Sequence, residues 1–201
     1  MRITGGMLKN HVLRCPDGPI RPAMDRMRES LFAILGDMRG CSFLDLFAGS
    51  GVCGLEAYSR GAYPVVFVEW NVRSFSVLLQ NVQVALCRLE CRCMAVERYI
   101  ARARTLFHFV YLDPPFPYRF HAELLQRLSR ASLCREGSVV MVHRPREKKL
   151  ADKIDSLVRT DQRVYGRSVV DFYRRIKPVL RRTETRCRIL LFFVRGDAEG
   201  A

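Results

Sequence analysis

The chain has 201 residues and 23.2 kDa, enough for one well-buried core and too short for two full domains. Hydrophobic residues make up 49% and charged residues 27%, the balance of a packed globular protein, which excludes a disordered or collagen-like chain. Lys and Arg outnumber Asp and Glu by 34 to 20, a net charge of +14 with a pI near 9.9 that argues for a polyanionic partner.

Residues 1–22 are basic and broken by Gly5-Gly6, Pro16-Asp17-Gly18-Pro19 and Pro22, which predicts an irregular arm or small hairpin. A helix follows, with Asp25 as its expected cap and Met27, Leu31, Phe32 and Leu35 as its apolar stripe, ending between Gly36 and Gly40. Residues 41–47 form a predicted buried strand, 49–54 a tight loop and 55–60 a helix. A second strand covers 64–69 and a second amphipathic helix 71–86. The alternation continues with a strand at 90–95, a helix at 97–104, a strand at 107–112, a helix at 120–132, a strand at 138–143 and a helix at 147–157.

Continuous apolar strands alternating with helices define an α/β, Rossmann-like fold whose mostly parallel sheet is covered on both faces. Residues 162–165 and 169–173, separated by Gly166-Arg167-Ser168, predict that this sheet ends in an antiparallel hairpin. The organisation expected is a basic arm and helix over 1–40, the Rossmann-like domain over 41–175, and a basic extension over 176–201 whose structure the pattern leaves open.

The cations are 29 Arg and 5 Lys. Arginine takes phosphate bidentately or stacks on a base, yet an Arg-rich solvated face fits the composition equally well, so composition leaves both readings open. The eight cysteines show no paired spacing, and Cys87, Cys91 and Cys93 lack a C-x-x-C pair and a nearby His; free thiols are expected, and no metal. Residues 1–15 carry no apolar signal region and no run approaches the roughly 20 apolar residues of a membrane span, so a cytoplasmic location is expected.

Gly49-Ser50-Gly51-Val52-Cys53-Gly54 satisfies G-x-G-x-x-G between a predicted strand and helix, and Glu69 ends the next strand twenty positions after Gly49. In that geometry the glycines let a nucleoside cofactor approach the backbone while the acid takes its ribose hydroxyls. Two features favour S-adenosylmethionine over a dinucleotide. Asp45, inside the preceding strand, would sit badly beside a pyrophosphate but well beside the methionine ammonium. The chain also lacks room for the separate catalytic domain that dehydrogenases use. Trp70, directly after Glu69, could pack along the adenine or simply pack on the core or surface.

Asp113-Pro114-Pro115-Phe116 follows the strand 107–112, at the sheet edge where open α/β sheets place ligands. The prolines fix φ and donate no N–H, so their carbonyls can be held outward as acceptors. An amino group on a base is a weak nucleophile because its lone pair is delocalised into the ring. Acceptance of its N–H groups by Asp113 and the Pro114 carbonyl would aim that lone pair at a sulfonium methyl group, and Phe116 would stack on the extruded base. Asp-Pro-Pro is also ordinary turn chemistry. The catalytic reading gains from the glycine loop on the same sheet edge.

Arg2-Ile3-Thr4-Gly5-Gly6, Arg21-Pro22, Asp25-Arg26, Arg28-Glu29, residues 43–51, Glu56, Ser59-Arg60-Gly61-Ala62 and Asp113 to Phe116 occur in that order. The pattern, over Arg2 to about Tyr173, resembles the bacterial 16S ribosomal RNA guanine-N2 methyltransferase family, class I S-adenosylmethionine-dependent enzymes acting on an assembling small-subunit particle. The resemblance implies that Asp45, Phe47, Ala48, Gly49 and Gly51 hold the methionine part of the cofactor and Glu69 its ribose. It implies that Asp113, Pro114, Pro115 and Phe116 bind the guanine and that Arg2, Lys9, Arg21, Arg26 and Arg28 lie on RNA. The chain departs from the family at Ala23, usually Thr; at Ala95, often an acid near the adenine, with Glu97 the nearest substitute; at His143, often an acid; and beyond about residue 176.

The expectation is a monomeric rRNA (guanine-N2)-methyltransferase. An adenine-N6 DNA methyltransferase would use the same hydrogen bonds, but such enzymes more often carry Asn first in the motif and a recognition insert. A catalytically silent RNA-binding assembly factor fits the basic arm and tail, yet has no use for an intact loop and tetrapeptide.

Overall fold

The computed structural model describes residues 1–15 and 22–177. Arg21 and most of the basic extension lie outside the described residues. A single eight-stranded sheet organises the rest, in the order β3-β2-β1-β4-β5-β8-β7-β6. Strands β1 (Phe43–Leu46), β2 (Val65–Glu69), β3 (Glu90–Cys93), β4 (Phe107–Leu112) and β5 (Cys134–Pro145) are mutually parallel. β6 (Lys153–Ile154), β7 (Leu157–Tyr165) and β8 (Ser168–Arg175) complete it antiparallel.

Both faces of β1 and β2 are buried, as their largely apolar runs require. On one face, α1 (Pro22–Leu35), α2 (Val52–Ser59) and α3 (Val72–Asn81) cover Phe43 and Phe67 with Phe32, Leu31, Leu55 and Leu78. On the other, α4 (Val96–Arg102) and α5 (His121–Arg130) bring Ile100, Leu124, Leu125 and Leu128 onto Leu44, Leu46 and Val110. Each such side chain stabilises the fold by roughly 1.5–3 kcal/mol relative to exposure. The chain leaves β1 for β2 and β3 on one side and returns to β4 on the other. The carboxyl ends of β1 and β4 thus open on a topological switch point, where α/β sheets bind ligands.

Three sequence expectations change. The first helix begins at Pro22, where a residue without an N–H costs no hydrogen bond, and Asp25 lies in its first turn rather than at its cap. The Asp25 carboxylate instead accepts from Arg28 Nη2 at 3.0 Å. The helix expected at 147–157 is a turn followed by β6 and the start of β7. Leu150, Ile154 and Leu157 keep the spacing of a helical stripe and are all buried, but extended chain buries them instead. Asp155, at φ 50, closes a two-residue turn between Ile154 and Leu157 in a conformation that Asp tolerates. Finally, Tyr165 pairs with Ser168, so the last hairpin turns on Gly166-Arg167 alone, with Gly166 at φ 60.

The arm is a small hairpin bridged at Arg2 and Val12, docked on the C-terminal end of α2. Ser59 holds it from three directions: its carbonyl accepts from Met7 N at 2.8 Å, its Oγ accepts from Leu8 N at 2.8 Å, and its Oγ donates to Gly5 O at 2.5 Å. A Cβ on Gly6, at φ +77, would lie 1.8 Å from the Ser59 carbonyl oxygen, so only glycine fits that approach.

Candidate active site

The glycine loop leaves β1 and turns into α2 within five residues, with Phe47 at φ 63, Gly49 at φ 55 and Gly51 at φ 80. α2 begins at Val52, three residues before the sequence expectation, so the last part of G-x-G-x-x-G is already helical. A Cβ on Gly51 would lie 2.3 Å from Leu78 Cδ1, and one on Gly54 2.2 Å from the Phe67 ring. The glycines thus serve helix packing as well as the turn. Gly54→Ala, whose helical backbone suits alanine, is expected to cost about 1–3 kcal/mol through overpacking against Phe67, read as a lowered Tm.

Asp45 and Glu69 brace this loop. Asp45, 1% exposed, accepts from Gly54 N at 2.8 Å through Oδ2. Burial pushes its carboxyl well above the usual carboxylate range, the Gly54 N–H opposes this, and the charges of Asp113 and Glu69 add to it. A cationic group entering the cavity would relieve that penalty. Glu69 accepts from Gly49 N at 2.8 Å and from Asn71 N at 2.7 Å, leaving lone pairs on both oxygens for a ligand. Trp70 is 60% exposed and does not line the cavity beside the loop.

That cavity, of about 1040 Å³, opens between the carboxyl ends of β1 and β4. Asp45, Phe47, Ala48 and Gly49 line it together with the whole tetrapeptide, Asp113 to Phe116. Gly51 and Glu69 are not in that lining, so the structure brings the start of the glycine motif and the tetrapeptide to one space, at the upper end of the volumes that hold small ligands. Pro114 is buried, while Pro115 and Phe116 are exposed. Asp113 Oδ1 lies 2.6 Å from Nδ1 of His143, the residue after Val142 on β5. Burial of His143 opposes its protonation, but the charge and hydrogen bond of Asp113 outweigh it, so its pKa is raised above the ordinary 6.5.

In the sequence His143 stands out only as a departure from the family pattern, and its contact with Asp113 is not visible there. Tyr111 and the hairpin tip Tyr165-Gly166-Arg167 also line the cavity and were missed. Strand alternation signals Tyr111, which shares a face with Asp113 two residues on. Nothing local signals the tip, which Tyr165 fastens to α1 by a 2.8 Å hydrogen bond with Ser30. Near Ala95, Glu97 accepts from Tyr118 Oη at 2.8 Å, and the Tyr118 ring meets Phe47 edge-on at 5.2 Å. Glu97 thus already has a partner within the protein.

The expected RNA contacts divide. Arg2 and Lys9 are exposed on the arm, and Arg26 is exposed at the cavity. Arg28 is not available: it is 2% exposed, with Nε 3.3 Å from Glu56 Oε2 and Nη2 on Asp25 and the Arg2 carbonyl. The fully buried Glu56 explains this, since a carboxylate removed from water needs cations beside it, and Arg60 supplies a second at 2.9 Å. Among the described residues no group of His, Cys, Asp or Glu is placed to hold a metal, and no helix is long and apolar enough to cross a membrane.

Five parallel strands closed by an antiparallel hairpin, with a glycine loop after the first strand and an acid ending the second, form the fold of S-adenosylmethionine-dependent methyltransferases. The chain belongs to the family described as conserved hypothetical protein 95, which it matches over residues 1–174. It is 29% identical to YlbH of Bacillus subtilis over 182 residues, 87% of this chain and 99% of that protein. It is 36% identical over 120 residues to the ribosomal RNA small subunit methyltransferase D of Escherichia coli, covering 58% of this chain and 60% of that protein. The solved structure of yhhF from Escherichia coli superposes with a TM-score of 0.80 at 27% identity, over 88% of this chain and 98% of that one.

Proposed function

We propose that the chain transfers a methyl group from S-adenosylmethionine to the exocyclic N2 of a guanine in 16S ribosomal RNA. Its substrate is an assembling small subunit, and it acts as a monomer in the cytoplasm. The observation that carries this reading is that Asp45 and Asp113 line one cavity. The name of the Escherichia coli relative supports the small-subunit RNA, and the resemblance of the motifs from Arg2 to Phe116 to the guanine-N2 family supports guanine.

When bound, S-adenosylmethionine supplies an electrophilic methyl group on a positively charged sulfur. Asp45 pairs with the ammonium of its methionine part, and Phe47, Ala48, Gly49 and Gly51 shape the backbone around that part. Glu69 uses its remaining lone pairs for ribose hydroxyls. Asp113 and the Pro114 carbonyl each accept an N–H from the base, which localises the nitrogen lone pair along the line of transfer. Phe116, 47% exposed, offers its ring to the extruded base. Asp113 is also placed to take the proton the nitrogen sheds. Arg2, Lys9, Arg21 and Arg26 take RNA phosphates.

Mass spectrometry of small-subunit RNA from a strain lacking the gene tests this directly. One N2-methylguanosine is expected to disappear and to return when the purified chain is added to the undermethylated particle. Loss of an N6-methyladenine instead overturns the base assignment, and an unchanged methylation pattern overturns the activity.

A further inference from the structure

We infer that His143 is a positioning residue for this reaction, occupying one oxygen of Asp113 so that the other is presented to the base amine. The inference rests on the assignment of Asp113 as an amine acceptor. β4 and β5 run parallel with Leu112 opposite Val142, so Asp113 and His143 are the next pair in that register. The strand pairing itself therefore delivers the imidazole to the carboxylate. His143 is 3% exposed, its Nδ1 lies 2.6 Å from Asp113 Oδ1, and both residues line the cavity. The same ring meets Phe116 edge-on at 5.9 Å, so one side chain braces both ends of the tetrapeptide.

A carboxylate at the start of a loop otherwise turns freely about its side-chain torsions, and a misplacement near 1 Å at a reacting centre costs about 10²-fold in rate. Pinning Oδ1 removes that freedom. It also fixes the ring: a hydrogen bond to a carboxylate requires the proton on Nδ1, which leaves Nε2 bare in the neutral form. Nε2 is buried and has no partner among the described residues, a position that suits an unprotonated nitrogen better than an N–H.

The neighbours of His143 limit what else could titrate here. Asp113 follows β4, Tyr111 lies on β4, Asp45 on β1 and Cys53 on α2, while Arg26 of α1 and Arg167 of the hairpin turn line the same cavity. His121 on α5 is near enough for the His143 charge to lower its own pKa, after burial and the Lys148 and Arg144 charges have done so more strongly. Burial holds Cys53 and Tyr111 well above their ordinary values and so neutral. His143 carries the adjustable charge. Charged, it weakens Asp113 as an acceptor; neutral, it keeps the same hydrogen bond and leaves the carboxylate its full accepting strength. The rate is therefore expected to rise with pH through a step above 6.5, the ordinary histidine value.

The test compares the wild type, His143→Ala, His143→Asn and Asp113→Ala, with methyl transfer to undermethylated small subunits measured across that step. Asparagine places an amide N–H near the position of ring Nδ1 but does not ionise. His143→Ala is expected to lower kcat roughly 10- to 100-fold with the cofactor KM unchanged. His143→Asn is expected to keep most of the rate and to lose the pH step. A His143→Ala variant with wild-type kcat and pH profile overturns the inference. So does an equal loss in both His143 variants with a raised cofactor KM, the mark of a structural prop. Asp113→Ala separates the two ideas: full activity there removes the amine-acceptor reading, whereas its inactivity beside an unaffected His143→Ala removes only the role of His143. Thermal melts identify a variant that has failed to fold, and the asparagine variant then decides.

Discussion

Asp113→Ala is expected to lower kcat for methyl transfer by about 10²- to 10³-fold, the loss typical of removing one preorganised partner of the developing charge. Binding of S-adenosylmethionine is expected to hold or tighten. The reason lies across the cavity: the Asp113 charge is among the influences that raise the pKa of the buried Asp45, after burial itself. Removing that charge eases ionisation of Asp45, and the ionised form is the one an ammonium pairs with. Calorimetric titration with S-adenosylmethionine, run beside the transfer assay, checks both halves. A variant that loses cofactor affinity along with rate would mean that Asp113 shapes the cofactor site rather than the base site. Asp113→Asn keeps one carbonyl acceptor and is expected to lose less rate than the alanine variant.

Glu56→Ala is expected to be the most destabilising of the changes considered. Glu56 is fully buried and accepts from Thr4 N at 2.8 Å, Thr4 Oγ1 at 2.7 Å, Arg60 Nε at 2.9 Å and Arg28 Nε at 3.3 Å. Truncation strands Arg28, whose remaining carboxylate partner is the half-exposed Asp25. Breaking a buried pair from one side costs about 3–5 kcal/mol, and the surviving Asp25 contact places the cost toward the lower end. For a chain of this size that lowers Tm on the order of 10 °C. The same change frees Thr4, so limited proteolysis is expected to cut within the arm of Glu56→Ala while leaving the wild-type arm intact.

Glu56 also shows what the sequence could and could not disclose. Thr4, Gly5-Gly6, Glu56 and Ser59-Arg60 stand out in the sequence as an ordered pattern without a stated reason, and Arg28 is expected there on RNA. In the folded chain they touch one another, as the clasp between arm, α1 and α2. Their hydrogen bonds cross as many as 56 residues, beyond any local periodicity. Strands β1, β2 and β4 are legible because each is a short, largely apolar run bounded by turn residues; the pattern predicts 107–112, the bounds the structure gives. The stretch 147–157 was not, because burial at i, i+4 and i+7 is met equally by a helix and by a turn leading into paired strands. At the site, both motifs were visible as local strings. The contact between Asp113 and His143 was not, since it follows from which strand lies beside β4.

Among the described residues the sheet has two outer strands, and both are poor templates for another chain. β3 is four residues long, with its exposed Glu90 and Arg92 joined at 2.8 Å, and β6 has two residues and begins with the exposed Lys153. Short, charged edges resist the edge-to-edge pairing by which sheets aggregate. Among the described residues, this strongly basic protein thereby offers further copies of itself no long backbone edge to pair with, and contacts there are left to side chains.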